Sequence, residues 1–240
     1  MHKIINLTLD PLLADKGVNA LFLLATGTIR EEASTLSGIA WENAQASINP
    51  DVSLGHPYLR GYRNLHRLFE INDESLVPAP ESLIKAYLQH GTLRSFGSMI
   101  DLYNTVSLNH LISAGAHDAD QLGNSVELSR NLGTEKFRAL GQKKKLTLPE
   151  NEYSYKTNLG RPICRLECKQ SNDTKLREKT KKWLFVLQGN GEITASALHA
   201  AGGDLIKSLE ELTVTCCWDS ELLDAAKLTG RLEIVTESVD

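Results

Sequence analysis

The sequence predicts an α+β fold, with helices gathered in the first half of the chain and short strands in the second. Three observations lead there. Residues 30–111 show helix starts and apolar positions at helical spacing. Residues 124–188 break into short β-rich runs separated by Gly, Asn and Pro turns. The longest apolar run, Val18–Ala25, is far short of the roughly 18 residues of a membrane span and reads as a strand buried on both faces. The 240 residues, 41% hydrophobic and 23% charged, suffice for a core without disulfide staples and exclude a disordered chain.

In order along the chain, Ile4–Leu9 and Val18–Thr26 are expected as strands, and the Ala- and Glu-rich stretch Arg30–Ile48 as a helix. Pro57 suits the first turn of the next helix, which runs to Phe69 with Leu59, Tyr62, Leu65 and Phe69 facing inward and Arg60, Arg63 and Arg67 forming a stripe. After Pro78 and Pro80, Glu81–His90 is helical. Ser98 is expected to cap the helix ending at Leu111. Strands follow at Asn124–Arg130, Lys136–Leu140, Tyr153–Lys156, Ile163–Lys169 and Trp183–Gln188, then a helix over Glu192–Thr213 with Gly202-Gly203 as a weak point. Residues 1–213 form the expected domain. Residues 214–240 form a C-terminal tail, with a short helix from Asp219 and a ragged end.

The net charge of −4 hides an asymmetry. Residues 136–182 hold fourteen Lys/Arg against five Asp/Glu, while the chain from Glu192 onward holds ten acids and three bases. A basic middle in an acidic chain is either a solvated surface or a site for a polyanion, with RNA phosphate the leading candidate. Its densest part is Lys175, Arg177, Lys179, Lys181 and Lys182, with Lys143–Lys145 a second cluster. The four cysteines are expected to be reduced: a strand would hold Cys164 and Cys168 about 13 Å apart, too far for a disulfide. Cys216 and Cys217 are adjacent. No membrane span or signal peptide is visible, so a cytoplasmic protein is expected.

There is no nucleophile elbow, Walker loop, zincin motif or dinucleotide fingerprint, and no histidine pair at metal spacing; no metal and no cofactor are expected. What remains is polar residues in apolar surroundings. Asn104 lies among Ile100, Leu108 and Leu111 on a helical wheel, beside Tyr103 and Ser107. Buried unpaired, its amide would cost about 1–3 kcal/mol. It therefore either bonds a neighbouring turn or lines a pocket and holds a polar ligand group. Small residues in Ser113–Ala116 allow close approach to a ligand, and His117 beside Asp118 either orients a water or forms a surface hydrogen bond. Gln170–Thr174 is either a simple turn or part of the same site.

Read in order, LRSFGSMIDLYNTVSL, a small-residue loop ending at Asp118, GNSVELSR and CRLECKQSNDTKLREKTKKWLFVLQG resemble the tRNA-editing domain of the phenylalanyl-tRNA synthetase beta subunit in its free-standing form. The clearest matches are Ile100-Asp101-Leu102-Tyr103-Asn104 and the pattern Ser171, Thr174, Thr180, Leu184. The likeness extends over residues 18–212. It implies helices packed on a curved, mostly antiparallel sheet with a pocket between them. It also implies hydrolysis of a wrongly attached amino acid from tRNA by positioned water, without a protein nucleophile. By position, Asn104 falls on the family's pocket asparagine and Gly115–Asp118 on its pocket loop. Asn172–Thr174 falls near the glutamate that reads the substrate side chain. Gly115 stands where the synthetase loop has a histidine, and Asn172 where it has that glutamate.

The resemblance thus implies a trans-editing aminoacyl-tRNA deacylase. Asn104 and Gly115 would hold the aminoacyl end, His117 or Asp118 would orient water, and Asn172 or Thr174 would read the side chain. Lys175, Arg177, Lys179, Lys181 and Lys182 would hold phosphates. The partner is the tRNA acceptor end, with no membrane and no DNA; the oligomeric state is open. The alternatives are a non-catalytic binder of tRNA, an amino acid or a small metabolite, and an unrelated small-ester hydrolase.

Overall fold

The computed structural model describes residues 2–49 and 54–235. It is α+β, built in three layers: a six-stranded sheet, a four-stranded sheet and a layer of helices. The helices are α1 (Pro11–Asp15), α2 (Ala33–Ala46), α3 (Pro57–Leu68), α4 (Ala79–His90), α5 (Ser98–His110) and α6 (Ala195–Leu212). The first sheet joins β12 (Thr229–Val235), β1 (His2–Leu9), β4 (Ser125–Arg130), β7 (Tyr153–Thr157), β8 (Pro162–Arg165) and β9 (Lys169–Gln170), in that order. The second joins β11 (Thr213–Leu223), β2 (Ala20–Ile29), β10 (Lys182–Gln188) and β3 (Ser113–Asp118). A small pair, β5 (Lys136–Phe137) and β6 (Leu146–Thr147), stands apart, and β1 with β4 is the parallel pairing among otherwise antiparallel strands.

The two-sided burial expected of Val18–Thr26 is the organising feature. Side chains alternate across a strand, so β2 sends Ala20, Phe22 and Leu24 into the core between the sheets. Leu21, Leu23 and Ala25 enter the core under the helices. β10 does the same, with Leu184 and Val186 on one side and Trp183, Phe185 and Leu187 on the other. A strand with no solvent face must be apolar throughout, which is what both sequences supply.

The helix starts follow local chemistry. Pro57 opens α3, where the Tyr58 amide donates to His56 Nδ1 at 3.2 Å, and Thr194 Oγ1 accepts the Ala197 amide at the start of α6. α5 departs from expectation. Gly97, at φ 104°, precedes it, and Ser98 is its first residue with no capping bond. The Asp101 carboxylate gathers the entry loop instead, accepting from Ser95 Oγ at 2.5 Å and the Phe96 amide at 3.0 Å. Gly202 does not break α6; a Cβ there would sit 2.3 Å from Leu21 Cδ2, so the glycine lets the helix lie close on β2.

Two expectations are corrected. The strand over Ile163–Lys169 is a hairpin: Leu166 takes φ 52°, buries its side chain and reverses the chain between β8 and β9. Cys164 and Cys168 therefore do not lie along one extended strand, and both are free thiols. The short helix expected from Asp219 is also absent. β11 pairs with β2 from Thr213 to Leu223 and β12 pairs with β1, burying Leu223, Leu232 and Ile234. Residues 236–240 of the expected tail lie outside the described residues.

Candidate functional site

β3 is an edge strand of the four-stranded sheet, and the space beside it is lined from both the helical layer and the six-stranded sheet. The small side chains of Ser113-Ala114-Gly115-Ala116 leave space there. The result is a cleft of about 280 Å³. Ala79, Ser82 and Leu83 of α4 and Tyr103 and Asn104 of α5 form one wall. Tyr155, Cys164 and Glu167–Gln170 form the other, with Val186 and Gln188 of β10, Gly115 and His117 of β3, and Ala139 and Leu140 completing the lining.

The structure brings three of the expected residues together. Asn104 is half-buried in the cleft wall, and its carboxamide has no hydrogen-bond partner among the described residues. The structure thus places Asn104 in the lining of a cleft and gives its carboxamide no neighbouring turn to bond among the described residues. Gly115 lies under Gln170: a Cβ there would sit 2.4 Å from Gln170 Nε2, which donates to Ala116 O at 3.2 Å. His117 lines the cleft with its ring largely buried. Burial pushes its pKa down to about 4, so the imidazole is neutral at pH 7.

The others lie elsewhere. His117 and Asp118 project to opposite faces of β3 and form no dyad. The Asp118 carboxylate accepts from Thr180 Oγ1 at 3.1 Å and from the Asp120 amide at 3.1 Å, and Arg177 lies 3.9 Å away. Thr174 is fully buried, with Oγ1 2.9 Å from His117 Nδ1, so it holds the ring and does not line the cleft. Asn172 is tied by its amide to Arg138 O at 2.9 Å and is outside the lining.

Of the basic residues, Lys179, Lys181 and Lys182 line a second depression of about 480 Å³ with Asp118 and Asp120. Lys182 is paired to Asp120 at 2.9 Å. This depression shares no lining residue with the cleft. Lys175 is half-buried, and Arg177 is exposed. In the stripe on α3, Arg63 is bound to Glu81 at 3.0 Å.

Behind the cleft lies a buried polar cluster that the sequence reading missed. Glu167 Oε1 is 2.6 Å from His66 Nε2, while Oε2 accepts from Tyr153 Oη at 2.5 Å and Gln188 Nε2 at 3.3 Å. Tyr155 Oη donates to Gln188 Oε1 at 2.5 Å, and Tyr62 Oη donates to Gln188 O and accepts the Ser113 amide at 2.8 Å. Burial opposes charge on both members of the pair. Even so, Glu167 holds His66 above its ordinary pKa, and His66 with Tyr153 holds Glu167 below the ordinary carboxylate range. The available signal was the Gln that ends the apolar run WLFVLQ. The Cys168 thiol, which donates to Glu167 Oε1 at 3.4 Å, is pushed up by burial. It is therefore no thiolate nucleophile. His66, Glu167 and Cys168 place one potential metal-ligand atom each within 4.8 Å of one another.

No curated protein matches the chain. Among solved structures, an N-terminal fragment of the phenylalanyl-tRNA synthetase beta-subunit from Pyrococcus horikoshii is similar, with a TM-score of 0.52 at 13% identity. The likeness covers 90% of this chain and 49% of that one, so the chain spans about half the length of the fragment. At this identity the likeness shows the fold. The B3/4 domain family matches residues 71–201, which include every residue lining the cleft. With more than half of its length matched, this chain belongs to the B3/4 domain family.

Proposed function

We propose that the chain is a tRNA-binding editing protein that hydrolyses mischarged aminoacyl-tRNA in trans, with water held in the cleft beside β3. The observation that carries the reading is Asn104: an amide without a partner, in the wall of a cleft whose volume of about 280 Å³ suits an amino-acid ester. In the same cleft His117 is neutral, so it accepts or donates a hydrogen bond without placing a charge beside the ester. Thr174 fixes the ring through Nδ1 and leaves Nε2 for a water or a ribose hydroxyl. Such a site works by positioning, a mode that needs no covalent nucleophile. The similar structure comes from a synthetase beta-subunit, which supports the link to tRNA.

The placement of the other candidates refines the proposal. Gln170 and Lys169 replace Asn172 and Thr174 as the groups able to touch the substrate, and Asp118 leaves the water-orienting role to His117. The basic residues 175–182 contact phosphates outside the cleft. The test is a panel of mischarged tRNAs incubated with the chain, at least one of which loses its amino acid faster than in buffer. Asn104→Ala lowers that rate about a hundredfold, the order expected for one positioned hydrogen-bonding group, with tRNA affinity unchanged. Deacylation at the buffer rate across the panel overturns the reading.

A second reading, a non-catalytic binder of an amino acid or small metabolite, is favoured by the cleft's separation from the basic depression. It predicts salt-independent ligand binding and no deacylation.

A further inference from the structure

We infer that His66, Glu167 and Cys168 form a binding site for one zinc-like divalent cation at the back of the cleft, with its remaining coordination position towards the space that Cys168 lines. The three donors come from α3 and from the β8–β9 turn, and their atoms surround a single point. His66 Nε2 and Glu167 Oε1 are 2.6 Å apart, Glu167 Oε1 and Cys168 Sγ 3.4 Å, and Cys168 Sγ and His66 Nε2 3.9 Å. Tetrahedral zinc with bonds of about 2.0–2.3 Å separates its ligands by about 3.3–3.6 Å. Two edges of the triangle are already close to that. The third opens by roughly 0.7 Å once the proton shared by His66 and Glu167 is gone.

The surroundings fix the donors in place. Glu167 Oε2 is held separately by Tyr153 and Gln188, which aims Oε1 at the other two, as outer-shell partners of metal ligands do. The backbone is held by Ser113 Oγ, which donates to Glu167 O at 2.7 Å. Leu166, at φ 52°, carries the turn that presents Glu167 and Cys168 side by side. Charge also balances. A divalent cation, one carboxylate, one thiolate and one neutral imidazole sum to zero, the state that a buried site tolerates best. Binding releases two protons to solvent, one from the His66–Glu167 pair and one from the Cys168 thiol. The mixed N, O and S donor set favours zinc-type ions over magnesium or calcium.

The test uses the full chain, freed of metal by a chelator and titrated with Co²⁺. One equivalent is expected to bind in the micromolar range or tighter, with the strong visible bands of a tetrahedral ion and a thiolate-to-metal charge-transfer band in the near ultraviolet. Cys168→Ser keeps the His66–Glu167 pair, so the fold is retained, and it removes the charge-transfer band and weakens binding at least tenfold. His66→Gln keeps a donor to Glu167 and weakens binding likewise. Millimolar binding, a spectrum without the thiolate band, or unchanged titrations in both variants overturns the inference.

Discussion

His117 is a neutral ring in a nearly dry place, and that has a measurable cost at low pH. Its pKa falls from the ordinary 6.5 to about 4 because burial penalises the imidazolium, and its Thr174 partner is uncharged. Between those values the unfolded chain takes up a proton that the folded chain refuses, so stability is complete above pH 6.5 and declines towards pH 4. The loss amounts to about 3 kcal/mol at 1.36 kcal/mol per pKa unit, a large share of a typical domain's margin. Urea midpoints measured from pH 4 to pH 7 should show this slope, and His117→Gln should flatten it. An unchanged slope in the variant would mean that other groups carry the acid sensitivity. His117 was readable from the sequence as a candidate, but its separation from Asp118 was not. Adjacent residues in a strand face opposite ways, and the reading placed both in a loop.

At the scale of elements, the longer helices were legible from local signals such as Pro57, whereas the five-residue α1 (Pro11–Asp15), too short for a helical apolar period, was not. Nor was the β8–β9 hairpin. Cys164, Leu166 and Cys168 alternate with Arg165, Glu167 and Lys169 and so imitate one strand, and the turn is made by Leu166 at positive φ where glycine or asparagine would have signalled it. That hairpin supplies Glu167–Gln170 to the cleft, so the missed turn and the missed site residues are one omission. It also explains the glycine at 115. The Gly115 backbone does not need positive φ, so alanine suits it locally, yet the added methyl would meet Gln170 at 2.4 Å. Gly115→Ala should therefore cost about 1–2 kcal/mol by overpacking and by loss of the bond from Gln170 to Ala116 O. In Gly115→Ala/Gln170→Ala most of that cost should return. A double-mutant cycle by chemical denaturation reads the coupling; strict additivity would show that the two residues do not share the space.

On the whole molecule, the basic middle of an acidic chain is divided: Lys169 lines the cleft, while Lys179, Lys181 and Lys182 line a separate depression. In it Lys179 and Lys181 are exposed with no carboxylate partner among the described residues, while Lys182 is neutralised by Asp120. If the proposed RNA contact is made there, Lys179→Ala/Lys181→Ala should reduce the slope of log affinity against log salt by about 1–2. Lys182→Ala should change it less. Equal effects from all three would show diffuse attraction with no defined contact. The chain's last segment has the wider consequence. Its residues do alternate, Arg231 and Glu233 outward with Leu232 and Ile234 inward, but the β1 edge that completes the pairing lies at the other end of the sequence, so the segment reads locally as a tail. Leu232 and Ile234 enter the inter-sheet core with Ile5 and Leu7. Ending the chain after residue 228 would remove both and uncover their partners, at about 1.5–3 kcal/mol for each buried side chain lost. That sum, about 3–6 kcal/mol, approaches the full stability of many domains. The truncated chain should thus lose most of its denaturation midpoint or fail to fold, even though it retains every residue of the cleft. A midpoint unchanged by the truncation would make residues 229–240 separable from the fold, as the sequence suggested for the tail from residue 214.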